Sequence, residues 1–271
     1  MGGSREKSLQ PPVFALYCKN MKVYVQQYCA LGRQYLLIKS IYMMAENAAH
    51  NRRSIDEKQT TGGARMIAII DYDAGNIRSV EKALAYLGEE TVVSRDPQVL
   101  LKADKVILPG VGSFGQAMEN LHRYNLVPVI KEMVKNNTPF LGICLGLQLL
   151  FESSEETPGV EGIGILKGRI LRIPPSEGLK IPHMGWNSLH LQNDGRLFRG
   201  IPEDTYVYFV HSYYLQAEDP QIVKAVTDYS TTIHASVEKD NVFACQFHPE
   251  KSSKYGLKIL ENFAKLEKEG N

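Results

Sequence analysis

Cys144 stands out as a candidate nucleophile because glycines lie two positions before and two positions after it, at Gly142 and Gly146. The apolar residues before it predict a short buried strand, and those after it predict a helix that continues to Glu152. This layout is typical of a nucleophile elbow, a turn too tight for side chains beside the nucleophile. The N-terminus of the following helix adds positive potential, which favours a reactive thiolate. A buried core cysteine in a glycine-rich strand fits the same motif, so the motif alone leaves both interpretations open.

A second group of polar residues follows about a hundred positions later. Apolar residues alternate through residues 242–247 and predict a buried strand, and His248 comes directly after it. Pro249 ends the pairing of that strand because proline has no N–H to donate. With the chain bent at Pro249, His248 and Glu250 can both point to the exit of the strand. Cysteine, histidine and carboxylate then have the roles of nucleophile, base and orienting group.

A glycine-rich segment, residues 109–115, follows a predicted strand at its C-terminal end, where open parallel sheets bind ligands. Gly110 and Gly112 let backbone N–H groups approach a ligand closely. They could supply oxyanion donors beside the N–H of Leu145. A dinucleotide fingerprint fits poorly, because the glycines miss the required helix register and no acidic ribose partner follows.

The composition limits the classes of function. The net charge of +1 over 271 residues gives no global case for nucleic-acid binding. No apolar run approaches the roughly 18 residues that a membrane span needs. The four cysteines are irregularly spaced and predict neither a disulfide framework nor a zinc site, so they favour a reducing, cytoplasmic location. They are Cys18, Cys29, Cys144 and Cys245.

The charge is unevenly distributed along the chain. Residues 1–65 carry ten Lys/Arg and four Asp/Glu, whereas the remainder is acidic overall. The segment lacks caps and a clean period, so we expect a poorly ordered extension. A transit peptide and a small interaction segment are the alternatives. Residues 66–271 form the predicted domain.

From Met66 onward, strands alternate with helices. Residues 77–87 predict one helix, with Asn76 as its N-cap and Gly88 at its end. This alternation predicts an α/β fold, an open and mostly parallel sheet with helices on both faces. Additional antiparallel strands are expected after residue 151.

The motifs together resemble one known family. The run Gly142–Gln148 with His248-Pro249-Glu250 is similar to the class I (triad) glutamine amidotransferases, which share a flavodoxin-like fold. Within that family, residues 66–271 resemble the glutaminase subunit of imidazole glycerol phosphate synthase, of histidine biosynthesis. The narrower resemblance rests on four segments: residues 71–76, 109–114, 182–187 and 248–252.

The resemblance implies a role for each matching position. Cys144 would attack the side-chain amide of glutamine, His248 would transfer protons, and Glu250 would hold the imidazole. The oxyanion would bind to the N–H of Leu145 and to backbone donors of the loop Gly110, Val111 and Gly112. The implied glutamine-binding residues are Gln148, Glu156, Ser212 and Tyr213.

The resemblance also implies a partner. The family passes ammonia to a (β/α)₈-barrel cyclase subunit, and because no such barrel fits in this chain, a separate subunit is expected. The positions that match the contact are Asn76, Met184, Trp186 and Lys251. No cofactor or metal is implied. A glutaminase of another ammonia-channelling synthase, and a non-catalytic scaffold of the same fold, remain as alternatives.

Overall fold

The computed structural model describes residues 66–267. The predicted extension, residues 1–65, lies outside the described residues and stays a prediction. The strands are β1 (Met66–Ile70), β2 (Glu90–Ser94), β3 (Lys105–Gly110), β4 (Phe140–Cys144), β5 (Ser153–Ser154), β6 (Gly168–Arg172), β7 (His183–Leu191), β8 (Thr205–His211), β9 (Tyr213–Ala217), β10 (Val223–Tyr229), β11 (Thr231–Lys239) and β12 (Val242–Cys245). The α-helices are α1 (Ile77–Tyr86), α2 (Pro97–Leu100), α3 (Phe114–Arg123), α4 (Leu126–Lys135), α5 (Leu145–Leu149) and α6 (Ser253–Ala264).

Nine strands form one sheet in the order β2-β1-β3-β4-β12-β11-β10-β7-β8. The pairings from β2 to β12 are parallel, and those from β12 to β8 are antiparallel. A smaller sheet has the order β5-β6-β9. The predicted mostly parallel sheet with additional antiparallel strands is therefore confirmed. Strand β4, which carries Cys144, lies between β3 and β12 in the interior of the large sheet.

Both faces of the parallel part of the sheet are covered, as predicted. Successive side chains of a strand point to opposite faces, so neighbouring residues of β1 enter different cores. Ala68 and Ile70 pack with the apolar side of α3 and α4, whereas Ile67 and Ile69 pack with α1 and α6. The central strands are therefore buried between two layers of helices.

The helix predicted after Asn76 is present as α1, and Gly88 follows it with a φ of 84°. The capping role predicted for Asn76 is wrong in one respect. Asn76 occupies the N-cap position in the left-handed region, with φ 73°, but its side chain makes no capping hydrogen bond. That side chain instead donates a hydrogen bond to Glu250.

The helix after Cys144 is shorter than predicted, because α5 ends at Leu149 and does not reach Glu152. The backbone N–H of Ile163 donates to the carbonyl of Leu149, and the N–H of Ile165 donates to that of Leu150. A later segment of the chain therefore takes carbonyls that a longer helix would use. Among the described residues, no helix is both long and apolar enough to cross a membrane.

Candidate active site

Cys144 is the last residue of β4 and lies on a strained turn into α5. Its backbone has φ 55° and ψ −109°, a conformation that non-glycine residues seldom adopt. Such strain persists only where the surrounding structure enforces it, and it is concentrated at functional sites. The side chain is nearly buried, with 6% of its residue surface exposed. This geometry agrees with the predicted nucleophile elbow.

The two glycines of the motif are required by close backbone packing. A Cβ atom on Gly146 would lie 1.8 Å from the carbonyl oxygen of Leu108 in β3. A Cβ on Gly142 would lie 2.8 Å from the carbonyl oxygen of Gly146. Because the obstructing atoms are backbone in both cases, no side-chain rotation relieves the clash. The spacing of glycines around Cys144 thus reflects how tightly α5 turns back onto β3 and β4.

His248 reaches the same end of the sheet by way of β12, the neighbour of β4. Cys245 at the end of β12 pairs with Ile143, and His248 follows three residues later. The Nδ1 atom of His248 lies 2.8 Å from Oε1 of Glu250, and both side chains are fully buried. Among the described residues, no group lies within ideal hydrogen-bond geometry of Nε2 of His248. The sulfur of Cys144 is nevertheless close enough to raise the pKa of this imidazole, so Nε2 is the nitrogen that can exchange a proton with Cys144.

The surroundings of His248 favour its protonated form. Burial by itself lowers the pKa of His248, but the neighbouring Cys144 sulfur and the Glu250 carboxylate outweigh burial and raise that pKa to about 9. Burial raises the pKa of Glu250, yet hydrogen bonds from His248 and Asn76 bring it below its usual value. A negatively charged Glu250 and a proton-accepting His248 suit the transfer of a proton from the thiol.

Asn76 is a further contact of this pair. Its Nδ2 atom donates to Oε1 of Glu250 at 2.7 Å and lies 3.4 Å from Nδ1 of His248. The left-handed backbone at Asn76 turns the side chain away from α1 and toward Glu250. Asn76 therefore holds the carboxylate that orients the imidazole, a contact that the sequence did not reveal.

The glycine-rich loop lies beside Cys144, as the sequence predicted. Gly110 ends β3 and pairs with Cys144 across the sheet. The hydroxyl of the buried Tyr72 donates to the carbonyl of Pro109 at 2.8 Å and fixes the chain immediately before Gly110. Gly112 has a φ of 105°, which favours glycine.

One cavity of about 400 Å³ opens above Cys144. Its lining includes seven of the eight residues predicted to bind the oxyanion or the substrate, Gly110 being the exception. The seven are Val111, Gly112, Leu145, Gln148, Glu156, Ser212 and Tyr213. Glu156 also accepts a hydrogen bond from the backbone N–H of Phe114, at 2.7 Å, and so ties the start of α3 to this cavity.

Several polar contacts of the cavity were not predicted. His211 lines it together with Pro182 and Val210. Gln246 accepts from Nε2 of Gln148 at 3.0 Å, and its own Nε2 lies 3.7 Å from the sulfur of Cys144. A polar residue in an otherwise apolar strand was the available signal for both His211 and Gln246.

The four residues proposed for partner contact fall into two places. Met184 and Trp186 lie on β7 and are 65% and 52% exposed. In the β7–β8 register they face Val210 and Tyr208, so these side chains share one surface of the hairpin. Lys251 is exposed beside His248, and it lines an open groove with Asn76 and Val111. Both places adjoin the cavity above Cys144, through Val210 and Val111.

A group of side chains that can ligate a metal lies away from the cavity above Cys144. Among the described residues, His190, Glu203 and Asp204 could hold an ion, and the two carboxylates are exposed. This group is at the opposite end of the β7–β8 hairpin from His183 and His211. Exposed acidic groups of this kind are common without an ion, and the group has no part in the cavity.

Comparison with known proteins shows the family to which the chain belongs. The family model described as "Glutamine amidotransferase class-I" matches residues 68–266. The chain belongs to the class-I glutamine amidotransferase family, and it is an enzyme of that class. The predicted family is therefore confirmed.

Two relatives share about half of their aligned residues with this chain. The chain is 53% identical to the imidazole glycerol phosphate synthase subunit HisH of Aquifex aeolicus, over 72% of this chain and 94% of that protein. It is 51% identical to the subunit of the same name from Methanocaldococcus jannaschii, over 74% of this chain and the whole of that protein. A crystal structure of a putative GMP synthase component from Thermoplasma acidophilum has a TM-score of 0.55 at 20% identity, covering 75% of this chain and 94% of its own. The last likeness shows the fold alone.

Proposed function

We propose that this chain is the glutaminase subunit of imidazole glycerol phosphate synthase, acting in the cytoplasm in histidine biosynthesis. It hydrolyses glutamine to glutamate and ammonia and delivers the ammonia to a cyclase subunit. The observation that carries the chemistry is Cys144 on a strained elbow, beside the buried His248–Glu250 pair and open to one cavity. Relatives named HisH, at about half identity over most of the chain, support the pathway.

In the first step, the sulfur of Cys144 attacks the side-chain amide carbon of glutamine, after its proton has passed to Nε2 of His248. The carbonyl oxygen becomes an oxyanion, which accepts hydrogen bonds from the N–H of Leu145 and from the loop at Gly110 to Gly112. His248 then gives its proton to the departing nitrogen. Ammonia leaves, and a thioester remains on Cys144.

In the second step, water attacks the thioester while His248 takes a proton from it. The tetrahedral intermediate collapses, Cys144 leaves as thiolate, and glutamate is released. Throughout both steps Glu250 holds the imidazole by its Nδ1–H, which keeps Nε2 directed to the reacting atoms. Substrate binding falls to Gln148, Glu156, Ser212 and Tyr213, which line the same cavity. The carboxylate of Glu156 suits the ammonium group of glutamine.

Ammonia must be kept from bulk water, where protonation removes its nucleophilicity. A surface for a cyclase subunit of barrel shape is proposed on the exposed apolar side of β7 and β8, beside the cavity. Met184, Trp186 and Tyr206 are all more than half exposed there. Large exposed apolar side chains on one face are typical of a protein interface. Val210 belongs to this face and also lines the cavity, so the docked partner would cover the route out of it.

Replacing Trp186 by alanine is expected to weaken cyclase binding about 30-fold, because a large aromatic anchor at the centre of an interface contributes about 2 kcal/mol. Isothermal titration with the purified cyclase subunit measures the affinity. Tyr86→Ala is the matched control, because Tyr86 is a similarly exposed aromatic residue at the end of α1. An unchanged affinity for Trp186→Ala would remove this surface from the proposal.

Asn76→Gly is expected to lower kcat about tenfold, because it removes a hydrogen bond to the buried, charged Glu250. Glycine is chosen because it tolerates the positive φ at this position. The measurement is glutamate release with saturating cyclase, which separates kcat from any loss of affinity. Asn125→Gly serves as the control, since Asn125 is another left-handed N-cap without a side-chain cap. Equal kcat values for both variants would show that Asn76 does not support the carboxylate.

The proposed function is tested by mixing the chain with a cognate cyclase subunit plus its nucleotide ligand, then following glutamate release from glutamine. We expect the isolated chain to be nearly silent and the complex to be active. A pull-down of purified candidate synthases tests the pathway separately. Capture of an anthranilate or guanylate synthase instead would refute the pathway and leave the chemistry in place.

A further inference from the structure

Two buried histidines lie beside the cavity, and the triad does not use them. His183 and His211 face each other across the β7–β8 register and are 3% and 6% exposed. Nδ1 of His183 lies 2.9 Å from Nε2 of His211. The ring of His183 is also stacked between Phe209 and Tyr229, with centroid distances of 4.7 Å and 4.0 Å. The pair is therefore held in one geometry from several sides.

The neighbours of the pair determine which nitrogens carry protons. Nδ1 of His211 lies 2.9 Å from the carbonyl oxygen of Tyr213, which can only accept, so this nitrogen donates. In a neutral ring Nε2 of His211 is then the acceptor, and Nδ1 of His183 must donate to it. Nε2 of His183 remains an acceptor, facing Nδ2 of Asn187 at 3.4 Å.

Asn187 is itself oriented by its backbone contacts. Its Oδ1 accepts from the N–H of Ser188 at 2.9 Å, and its Nδ2 donates to the carbonyl of Asp228 at 3.0 Å. The amide nitrogen is thereby the atom that faces His183. Donors and acceptors thus follow one direction from Asn187 through both rings to Tyr213.

The local environment keeps both rings neutral. Burial lowers the pKa of His183 to about 4. Burial, together with the nearby positive charge of His248, lowers the pKa of His211 to about 3 despite its bond to Tyr213. At neutral pH neither ring takes up a second proton, so both rings stay neutral and the donor–acceptor order is fixed.

The carbonyl of Tyr213 connects the pair to the substrate cavity. It accepts from Nδ1 of His211 and also from Nε2 of Gln148, at 3.1 Å. Gln148 lines the cavity and donates to Gln246, whose Nε2 is close to the sulfur of Cys144. Since one carbonyl is shared, a displaced His211 would move the acceptor that orients Gln148.

We propose that His183 and His211 are positioning residues for glutamine binding. They form a neutral histidine pair with one fixed tautomer each, which holds the Tyr213 carbonyl and, through it, the side chain of Gln148. The expected effect on KM for glutamine rests on the proposed glutaminase function. The tautomers follow from the contacts alone.

Two substitutions at His211 separate the effect of losing the hydrogen bond to Tyr213 from the effect of changing the size of the side chain. Asparagine places its amide nitrogen near the position of Nδ1, so His211→Asn keeps the donor to Tyr213. Glutamine places its amide near the position of Nε2, so His211→Gln loses that donor. We expect His211→Gln to raise KM for glutamine about tenfold with little change in kcat, and His211→Asn to stay within about threefold of the wild type. His122→Gln, on the exposed side of α3, is the control.

Nitrogen-15 NMR of the histidine side chains at pH 7, without glutamine, tests the tautomers directly. We expect both rings to be neutral and protonated at Nδ1. A cationic ring, or a proton on Nε2 of either histidine, would overturn the proposal, and this readout on the wild type remains decisive if a variant fails to fold. An unchanged KM in a folded His211→Gln enzyme would also overturn it. Failure of the glutaminase proposal is recognised separately, as a wild-type complex that releases no glutamate.

Discussion

Cys144→Ala is expected to lower glutamine hydrolysis by about 10⁴-fold or more, because loss of a nucleophile removes the covalent route altogether. Alanine keeps the backbone and nearly fills the site, so glutamine still enters the cavity. The reaction is followed as glutamate release by the complex with the cyclase subunit, at saturating glutamine. The residual rate measures what the oxyanion donors and binding contribute without the sulfur.

Cys245→Ala is the matched control for this experiment. Cys245 ends the neighbouring strand β12, is fully buried, and has a pKa well above its usual range because of burial and nearby negative charge. A neutral buried thiol is not a nucleophile. We expect Cys245→Ala to keep activity within about threefold and to lose only modest stability. Full activity in Cys144→Ala, or a greater loss in Cys245→Ala, would contradict the assignment of the nucleophile.

Gly146→Ala is expected to destabilise the protein by at least about 3 kcal/mol, which lowers Tm by about 10 °C in a domain of this size. The added Cβ would lie 1.8 Å from the backbone carbonyl oxygen of Leu108. Neither this carbonyl nor the backbone of residue 146 can rotate out of the way. The chain can accommodate the methyl group only by moving α5 away from β3, which also displaces Cys144. Thermal unfolding followed by circular dichroism measures the change.

Gly75→Ala is the control for stability. A Cβ on Gly75 would meet only one atom, in the side chain of Val111 at 2.7 Å, and Val111 is 38% exposed, so no packed backbone obstructs the added methyl group. We expect a change in unfolding free energy of less than about 1 kcal/mol. If both glycine variants unfold at the same temperature, close packing at the elbow is not what requires Gly146.

The sequence predicted the elbow and the parallel sheet because both depend on local patterns. Glycines two positions before and after Cys144 indicate a tight turn, and the alternation of strands with helices predicts a sheet covered on both faces. The order of the nine strands was not predicted in detail. It depends on long-range pairing, such as that of β12 with β4, which no local period encodes.

Side-chain contacts between distant elements were the least predictable part. Asn76 was expected to cap α1 and to meet a partner, yet it contacts Glu250, 174 positions away. The His183–His211 contact depends on the register of β7 with β8, which the amino-acid pattern leaves open. The early end of α5 results from hydrogen bonds donated by a segment that follows it by more than ten residues.

Covalent trapping by an electrophilic glutamine analogue, with the labelled residue located by mass spectrometry, shows directly whether Cys144 is the nucleophile. It is performed on the isolated chain and on the complex with the cyclase subunit. We expect one adduct, on the sulfur of Cys144 and not on Cys245, formed faster in the complex and greatly slowed by His248→Ala. Labelling of another residue, or labelling of Cys144 at the same rate without His248, would contradict this expectation.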